Sequence, residues 1–347
     1  MSTKRASLYL FASFVFVSTL TLSLSAQQRQ VEPRQGNSNN RGRTSNRGGQ
    51  TQNGSRTQNQ NGNRARRPSK VSRATNMVPV RREMNRPFPA LGQRHIVFRK
   101  KLLDYWEESS RKVKRYKCTF KSWEYNPAFA PKSEPFKYSE GKIQYQSPDK
   151  GLFQETRVMQ YTVERGKKPD YKQIGKYATR EHWLCNGRSV FRYNYPQREL
   201  EESILPQEMR GRSIADGPIP FLFGARTQKM LARYFIRVIT PQGEHEQYWL
   251  EAFPRWPQDQ ANFQKVHIII DREKWLPKGM VIFPPNHHPT RNPARRSFTF
   301  INRQVNYVKR NLISNLFSQE FYEPKRYSGW RRTTKRIPSS VPKTGRR

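Results

Sequence analysis

The chain has 347 residues, with 66 Lys and Arg against 26 Asp and Glu, a formal net charge of +40, 12% aromatic residues and two cysteines. Neither cysteine belongs to a C-x-x-C pair or to any Cys/His spacing of the metal-binding kind, which excludes a cysteine-based metal module. Nucleophile-elbow, Walker, zinc-protease and Rossmann glycine patterns are all missing, so no motif names a reaction and an enzyme is not expected.

The amino terminus reads as an export signal. Lys4-Arg5 precede an uncharged stretch with an apolar heart from Leu8 to Leu24, and Ser23-Leu24-Ser25-Ala26 supplies a small-residue exit after Ala26. Residues 1–26 are therefore expected to be a signal peptide, the alternative being an uncleaved membrane anchor, which this length only just permits. The rest of the chain is expected to work outside the cytoplasm, in the periplasm or associated with the cell envelope.

Residues 27–94 form a basic leader rich in Asn, Gln, Arg and Gly. Between Gln27 and Lys70 the apolar residues are Val31 and Ala65, too few to offset the entropy of ordering, so a disordered segment is expected, with a Pro-bearing connector over residues 71–94. The leader carries 15 Lys/Arg against Glu32 and Glu83, and the tail 324–347, also expected to be disordered, carries nine Lys/Arg and no acid. More than half of the charge excess thus sits on the two ends, suited to long-range attraction toward polyanions. For an exported chain those are anionic lipids and envelope polymers. Specific nucleic-acid recognition is not expected, because no aromatic residue interrupts the leader between Gln27 and Pro87 to offer a stacking platform.

Residues 95–323 suffice for one substantial domain. His95 to Lys114 carries Ile96, Phe98, Leu102, Leu103 and Trp106 at helical spacings. Alternation then takes over: Tyr116, Cys118 and Phe120, next Ile143 and Tyr145, next Leu152 to Val163. The segments Glu181–Cys185 and Ser189–Tyr195 flank Asn186-Gly187, a strong hairpin signal. Asp216 to Gly224 is too rich in Pro and Gly for a strand and leads into Ala225–Ala232, which reads as a helical lid. Further strands are expected at Tyr234–Thr240, Glu246–Phe253, Phe263–Asp271, Trp275–Phe283 and Arg296–Val308. With strands following one another instead of alternating with helices, a parallel βαβ sheet is excluded. The expected class is α+β: a curved antiparallel sheet, an open and incomplete barrel, with an N-terminal helix and a helical lid.

Cys118 and Cys185, an even number in an oxidising setting, are candidates for a disulfide, which would need Cα atoms within about 7 Å. The alternative is two buried free thiols. His287-His288 lie in a Pro/Asn-rich loop and adjacent side chains diverge, so a metal site with His245 or Asp271 is not expected, nor any cofactor. Asp216, Glu251 and Asp271 fall on turns and strands with no pairing that spacing establishes. Tyr248 and Leu250, Ile268 and Ile270, Met280 and Ile282, and Phe298 and Phe300 share faces of their strands. In a closed fold they are core; in a half-open barrel, with Phe221 and Phe223 from the lid, they would line an apolar ligand cavity.

The runs Val266–Asp271, Trp275–Phe283, Arg296–Asn306 and Phe317–Pro324 resemble the closing strands of lipoprotein-localisation carriers of the LolA type, with an apolar strand ending in Asp, a Leu-Pro strand and a Phe-containing strand ending in Asn. Trp183–Tyr193, Ala215–Ala225 and Tyr248–Pro254 resemble, more closely, an uncharacterised family of exported planctomycete proteins, over roughly residues 95–310. The carrier resemblance implies an open barrel that holds acyl chains on its concave face; the long basic leader and tail depart from it. The expectation is a non-enzymatic binding protein sheltering a lipid, a lipoprotein acyl chain or another apolar ligand. The alternative is an envelope scaffold acting through its polycationic ends.

Overall fold

The computed structural model describes residues 83–211, 222, 226–307 and 320–337. The expected signal peptide over residues 1–26, the leader as far as residue 82, and Asp216, Phe221 and Phe223 lie outside the described residues. Helix α1 spans Gln93–Arg111, α2 Thr227–Arg233 and the short α3 Pro257–Gln260. The strands are β1 (Arg115–Tyr125), β2 (Lys137–Gln146), β3 (Lys150–Thr162), β4 (Asp170–Gln173), β5 (His182–Asn186), β6 (Ser189–Asn194), β7 (Glu199–Ile204), β8 (Tyr234–Val238), β9 (Gln247–Pro254), β10 (Lys265–Asp271), β11 (Pro277–Phe283), β12 (Arg295–Val305) and β13 (Arg331–Arg336).

All of them belong to one open sheet of 13 strands, ordered β13-β7-β6-β5-β3-β2-β1-β12-β11-β10-β9-β8, with β4 paired to β3. Two antiparallel meanders, β1 to β7 and β8 to β12, meet where β1 pairs with β12 in register from Phe120 opposite Phe300 to Tyr125 opposite Arg295. Register shifts at Lys117/Thr119, Glu140/Gly141 and Ile269/Ile270 add twist, as expected of a large sheet that curves. The Asn186-Gly187 hairpin forms as anticipated, but only Gly187 takes a positive φ, +88°. Asn186 serves through its side chain, whose Oδ1 accepts from the N–H groups of Arg188 (3.0 Å) and Ser189 (2.9 Å).

One face of the sheet is apolar from β3 to β8 because the strands alternate as their sequences do. Tyr116, Cys118, Phe120, Ile143, Phe153, Ile236, Leu250, Ile268, Met280 and Phe298 lie on it, packed under Leu102, Leu103 and Trp106 of α1 and Met230 of α2. At its centre Gly141 leaves room for the Phe120 ring, which stacks on Phe153 at 4.6 Å. A Cβ on Gly141 would lie 2.4 Å from Phe120 Cζ and 2.2 Å from the Gln154 carbonyl oxygen.

The opposite face is covered at the β3–β5–β6–β7 end, where Leu152, Leu184, Phe191, Tyr193 and Leu200 pack against Phe321 and Trp330. This corrects the expectation of a disordered tail for residues 324–337, the remainder lying outside the described residues: Tyr193 donates its hydroxyl to the Lys325 carbonyl (3.0 Å), and β13 pairs in parallel with β7. Along this backbone ladder the acids of β7 meet the bases of β13. Arg331 pairs with Glu199 at 3.1 Å and Arg332 with Glu202 at 2.6 Å. The leader boundary is corrected as well. Met84 donates its N–H to the Arg255 carbonyl (2.7 Å) and Phe88 is buried beside Phe253, so residues 83–94 belong to the folded unit.

Two tests follow from this packing. Gly141→Ala is expected to lower unfolding free energy in urea by about 1–3 kcal/mol, since neither the buried ring nor the Gln154 backbone can yield freely. His182 is buried on the tail-covered face, stacked on Tyr193 at 4.0 Å with Nδ1 2.9 Å from the Tyr195 hydroxyl. Burial first, then the charges of Lys142, Arg180 and Lys325, bring its pKa from 6.5 down to about 3. Between those values the unfolded chain binds a proton that the folded one refuses. The contribution of His182 is therefore fully present above pH 6.5 and lost as pH falls toward 3, by about 1.4 kcal/mol per pH unit. Thermal melts from pH 7 to 4 should fall steeply for the native chain and less for His182→Phe.

Candidate functional site

The sequence-derived ligand contacts do come together. Ile268 lies opposite Leu250 and Met280, Met280 opposite Phe298, and Ile270 opposite Tyr248. Leu250, Ile268 and Ile270 are fully buried, and Met280, Ile282, Phe298 and Phe300 retain 7% exposure or less. They form a packed core with α1, and Tyr248 is the one that reaches solvent. Phe221 and Phe223 lie outside the described residues.

The apolar surface continues outward along the edge of α1. Its core stripe is Leu102, Leu103, Trp106 and Ser110, whereas Phe98 and Tyr105, seven residues apart and hence on one side of the helix, stay exposed at 45% and 41%. Phe98, expected among the core residues of this helix, instead meets Tyr248 edge-on at 5.9 Å. Tyr105 lies 4.8 Å from Trp275, and Trp275 stacks on Tyr248 at 5.5 Å. Two cations rim this aromatic seam: Lys101 Nζ is 5.9 Å from the Tyr105 ring and Arg272 Cζ 5.4 Å from the Tyr248 ring.

Trp275 holds its place in an unfavourable backbone conformation. It has φ +52°, a region that bulky side chains rarely occupy. The turn between β10 and β11 enforces it: Trp275 N–H donates to the Asp271 carbonyl (2.9 Å), while Asp271 Oδ1 accepts from the N–H groups of Glu273 (2.9 Å) and Lys274 (3.1 Å). The other carboxylate oxygen of Asp271 is bound by Arg303 of β12. The sequence signal for the seam was an aromatic residue at the end of a charged turn, together with a second stripe on α1 beside the core stripe.

At the opposite end of the same face lies a buried charge network. Glu155 Oε1 accepts from Ser139 (2.8 Å), Lys137 (3.1 Å) and Arg296 (3.1 Å), and Arg296 also donates to Glu181 (3.0 Å). Glu124 Oε1 sits 3.2 Å from Lys137 Nζ and 3.3 Å from Arg296 Nε, close enough for ion pairing but outside hydrogen-bonding angles. Burial pushes the Glu155 carboxyl up, but Lys137 and Arg296 outweigh it and hold it below the usual range. All three carboxylates are engaged by one guanidinium, so the cluster locks β1, β2, β3 and β12 together in the manner of a structural network.

Cys118 and Cys185 are both buried free thiols, which corrects the disulfide expectation. They lie on β1 and β5, three strand spacings apart, about 14 Å, beyond the reach of a bridge. Burial pushes each thiol up to about 11. His287 Nδ1 is 2.9 Å from the Ala294 carbonyl, and His288 Nδ1 accepts from the Arg291 N–H (3.2 Å), so both rings serve their own loop. Among the described residues no three His, Cys, Asp or Glu side chains gather as a metal site would require. Glu251 is a hub on the opposite face, accepting from Arg237 (2.6 Å) and Lys265 (2.8 Å), with His267 Nε2 at 3.0 Å.

No protein-family model and no curated protein matches the chain. Among solved structures it is similar to an uncharacterised conserved protein of Thermus thermophilus, at 8% identity and TM-score 0.36, over 69% of this chain and 99% of that one. It is similar to a LolA superfamily protein of Nitrosomonas europaea at 10% identity and TM-score 0.28, over 63% and 97% of the two chains. The complex of MucA and MucB from Pseudomonas aeruginosa matches at 11% identity and TM-score 0.27, over 60% of this chain and 57% of that one, so the chain spans less than two thirds of that protein.

Arg296→Ala leaves buried carboxylates without their shared cation and is expected to destabilise the domain by about 3–5 kcal/mol, read from urea unfolding.

Proposed function

We propose that the sheet domain is a non-enzymatic binding module for an apolar ligand, a lipid or lipoprotein acyl chain, bound at the aromatic seam where α1 meets β9 and the turn between β10 and β11. The observation that carries this reading is the group Phe98, Tyr105, Tyr248 and Trp275: mutually packed, partly exposed, continuous with the apolar face beneath, and including a tryptophan in a strained backbone state. A bulky residue at positive φ costs free energy and persists where its placement is over-determined, a pattern concentrated at functional sites. Lys101 and Arg272 at the rim suit an amphiphile with an anionic end. The export segment and basic ends support work in the periplasm or at the envelope, the ends attaching the module to anionic surfaces.

Displacement of a fluorescent fatty acid from the full chain, followed with tryptophan emission, tests the reading. Phe98→Ser with Tyr105→Ser removes exposed apolar area without touching the core stripe. It should weaken binding about ten-fold or more, since two partly exposed rings are lost at once. Unchanged affinity in the double variant, or no probe binding by the native chain, would overturn the proposal. The scaffold alternative separates on truncation of 27–82 and 338–347, which spares β13 and the docked connector: loss of envelope association with probe binding intact supports the module.

A further inference from the structure

Strand β8 is an edge of the sheet, and its alternate residues turn main-chain groups outward. Two of its carbonyls are taken by arginines from separate parts of the chain. Arg99 of α1 donates from Nη1 to the Ile236 carbonyl (3.1 Å), and Arg255, just beyond β9, donates from Nε to the Tyr234 carbonyl (3.3 Å). Acceptors two residues apart along a strand lie within about 7 Å of each other. A third guanidinium arrives from the connector: Arg86 Cζ is 5.9 Å from the Phe235 ring, and Arg255 Cζ is 4.4 Å from the same ring.

The three side chains are close enough to act on one another. Burial first, then the positive charges of Arg255 and Arg86, lower the pKa of Arg99. Arg99 Nε is buried and has no acceptor. Among the described residues the carboxylate paired with this group is that of Glu83, 45% exposed, on Arg255 Nη1 at 2.7 Å; none pairs with Arg86 or Arg99. Like charges gathered around an orphaned N–H donor are an arrangement that an anion completes.

We propose that Arg86, Arg99 and Arg255 form a binding site for a phosphate group. Guanidinium forks from three segments can donate to several oxygens of one tetrahedral anion, and Arg99 Nε supplies a donor with no competing partner. Glu83 sits at the rim and would swing aside. A lipid headgroup and free phosphate share this chemistry; Phe98 of the aromatic seam is the neighbour of Arg99 on α1. The site stands on its own geometry, whether or not the seam holds an acyl chain.

The test is calorimetric titration of the full chain with inorganic phosphate. Arg99→Gln with Arg255→Gln is compared with Lys168→Gln with Arg326→Gln, which removes the same charge from exposed positions in the other half of the sheet. The first pair is expected to lower phosphate affinity about ten-fold or more, as for lost charged hydrogen bonds, and the second less than about two-fold. Should the double variant fail to fold by circular dichroism, the exposed Arg86→Gln and the charge-preserving Arg99→Lys decide; each should lose affinity several-fold. Equal loss in the control pair, or unchanged affinity in the cluster variants, overturns the site. Phosphatidylcholine vesicles doped with phosphatidic acid then distinguish the source. Vesicle binding that needs the arginines and is competed by phosphate assigns a headgroup; arginine-dependent binding of phosphate alone assigns the free ion.

Discussion

The pairing of β1 with β12 is the constraint on which the rest depends. It brings together residues from the two ends of the domain, Phe120 beside Phe300 and Ser122 beside Phe298, and fuses two meanders into one sheet. Without it each meander would present half of an apolar face, too narrow for α1 to cover. With it a row of rings, Phe298, Phe120, Phe153 and Trp183, runs unbroken across the join. Gly141 lets that row cross β2. Such a long-range contact must be formed against a large loop-closure entropy, so local hairpins are expected to precede it in folding.

A sheet this wide has two faces to protect and uses different material for each. The apolar face takes α1 and α2. The other face is covered at one end by the segment that leads into β13 and, behind β8 and β9, by the connector bearing Met84 and Phe88. The basic composition therefore has two uses. Part of it acts internally, where Arg331 and Arg332 neutralise the acids of β7 and Arg296 gathers three carboxylates under the sheet. Part has no acid partner among the described residues, and Arg86 and Arg99 beside β8 belong to that remainder.

The aromatic seam and the arginine cluster are both reached from α1. The helix presents Phe98 toward Tyr248 and, one residue on, Arg99 toward the edge of β8. Apolar contact area and guanidinium donors thus lie within one short stretch of surface, on which both proposals rest. The buried network around Glu155 has no such character, because each of its charges already faces an opposite one.

Local pattern was enough to determine α1 and the strands β1–β3, β5–β6 and β8–β12, since period-two alternation and helical spacing are properties of neighbouring residues. It also put Tyr248 with Leu250, Ile268 with Ile270, Met280 with Ile282 and Phe298 with Phe300, each pair on one face of its own strand. Strand β7 was hidden because Glu199, Glu201 and Glu202 are poor strand formers alone, and β13 because Arg331–Arg336 resembles a solvated tail; each is stabilised by the other, across more than a hundred residues. Tyr248 was legible as an aromatic on the apolar face of its strand, but Phe98, Tyr105 and Trp275 join it only when α1 crosses the sheet. Cys118 and Cys185 show the same limit: their number suggested a bridge, and the strand order set them too far apart. Composition determined which residues could form a core and where charge accumulates. Which of them touch was decided by the β1–β12 join, because contacts between distant segments depend on strand order, which alternation does not encode.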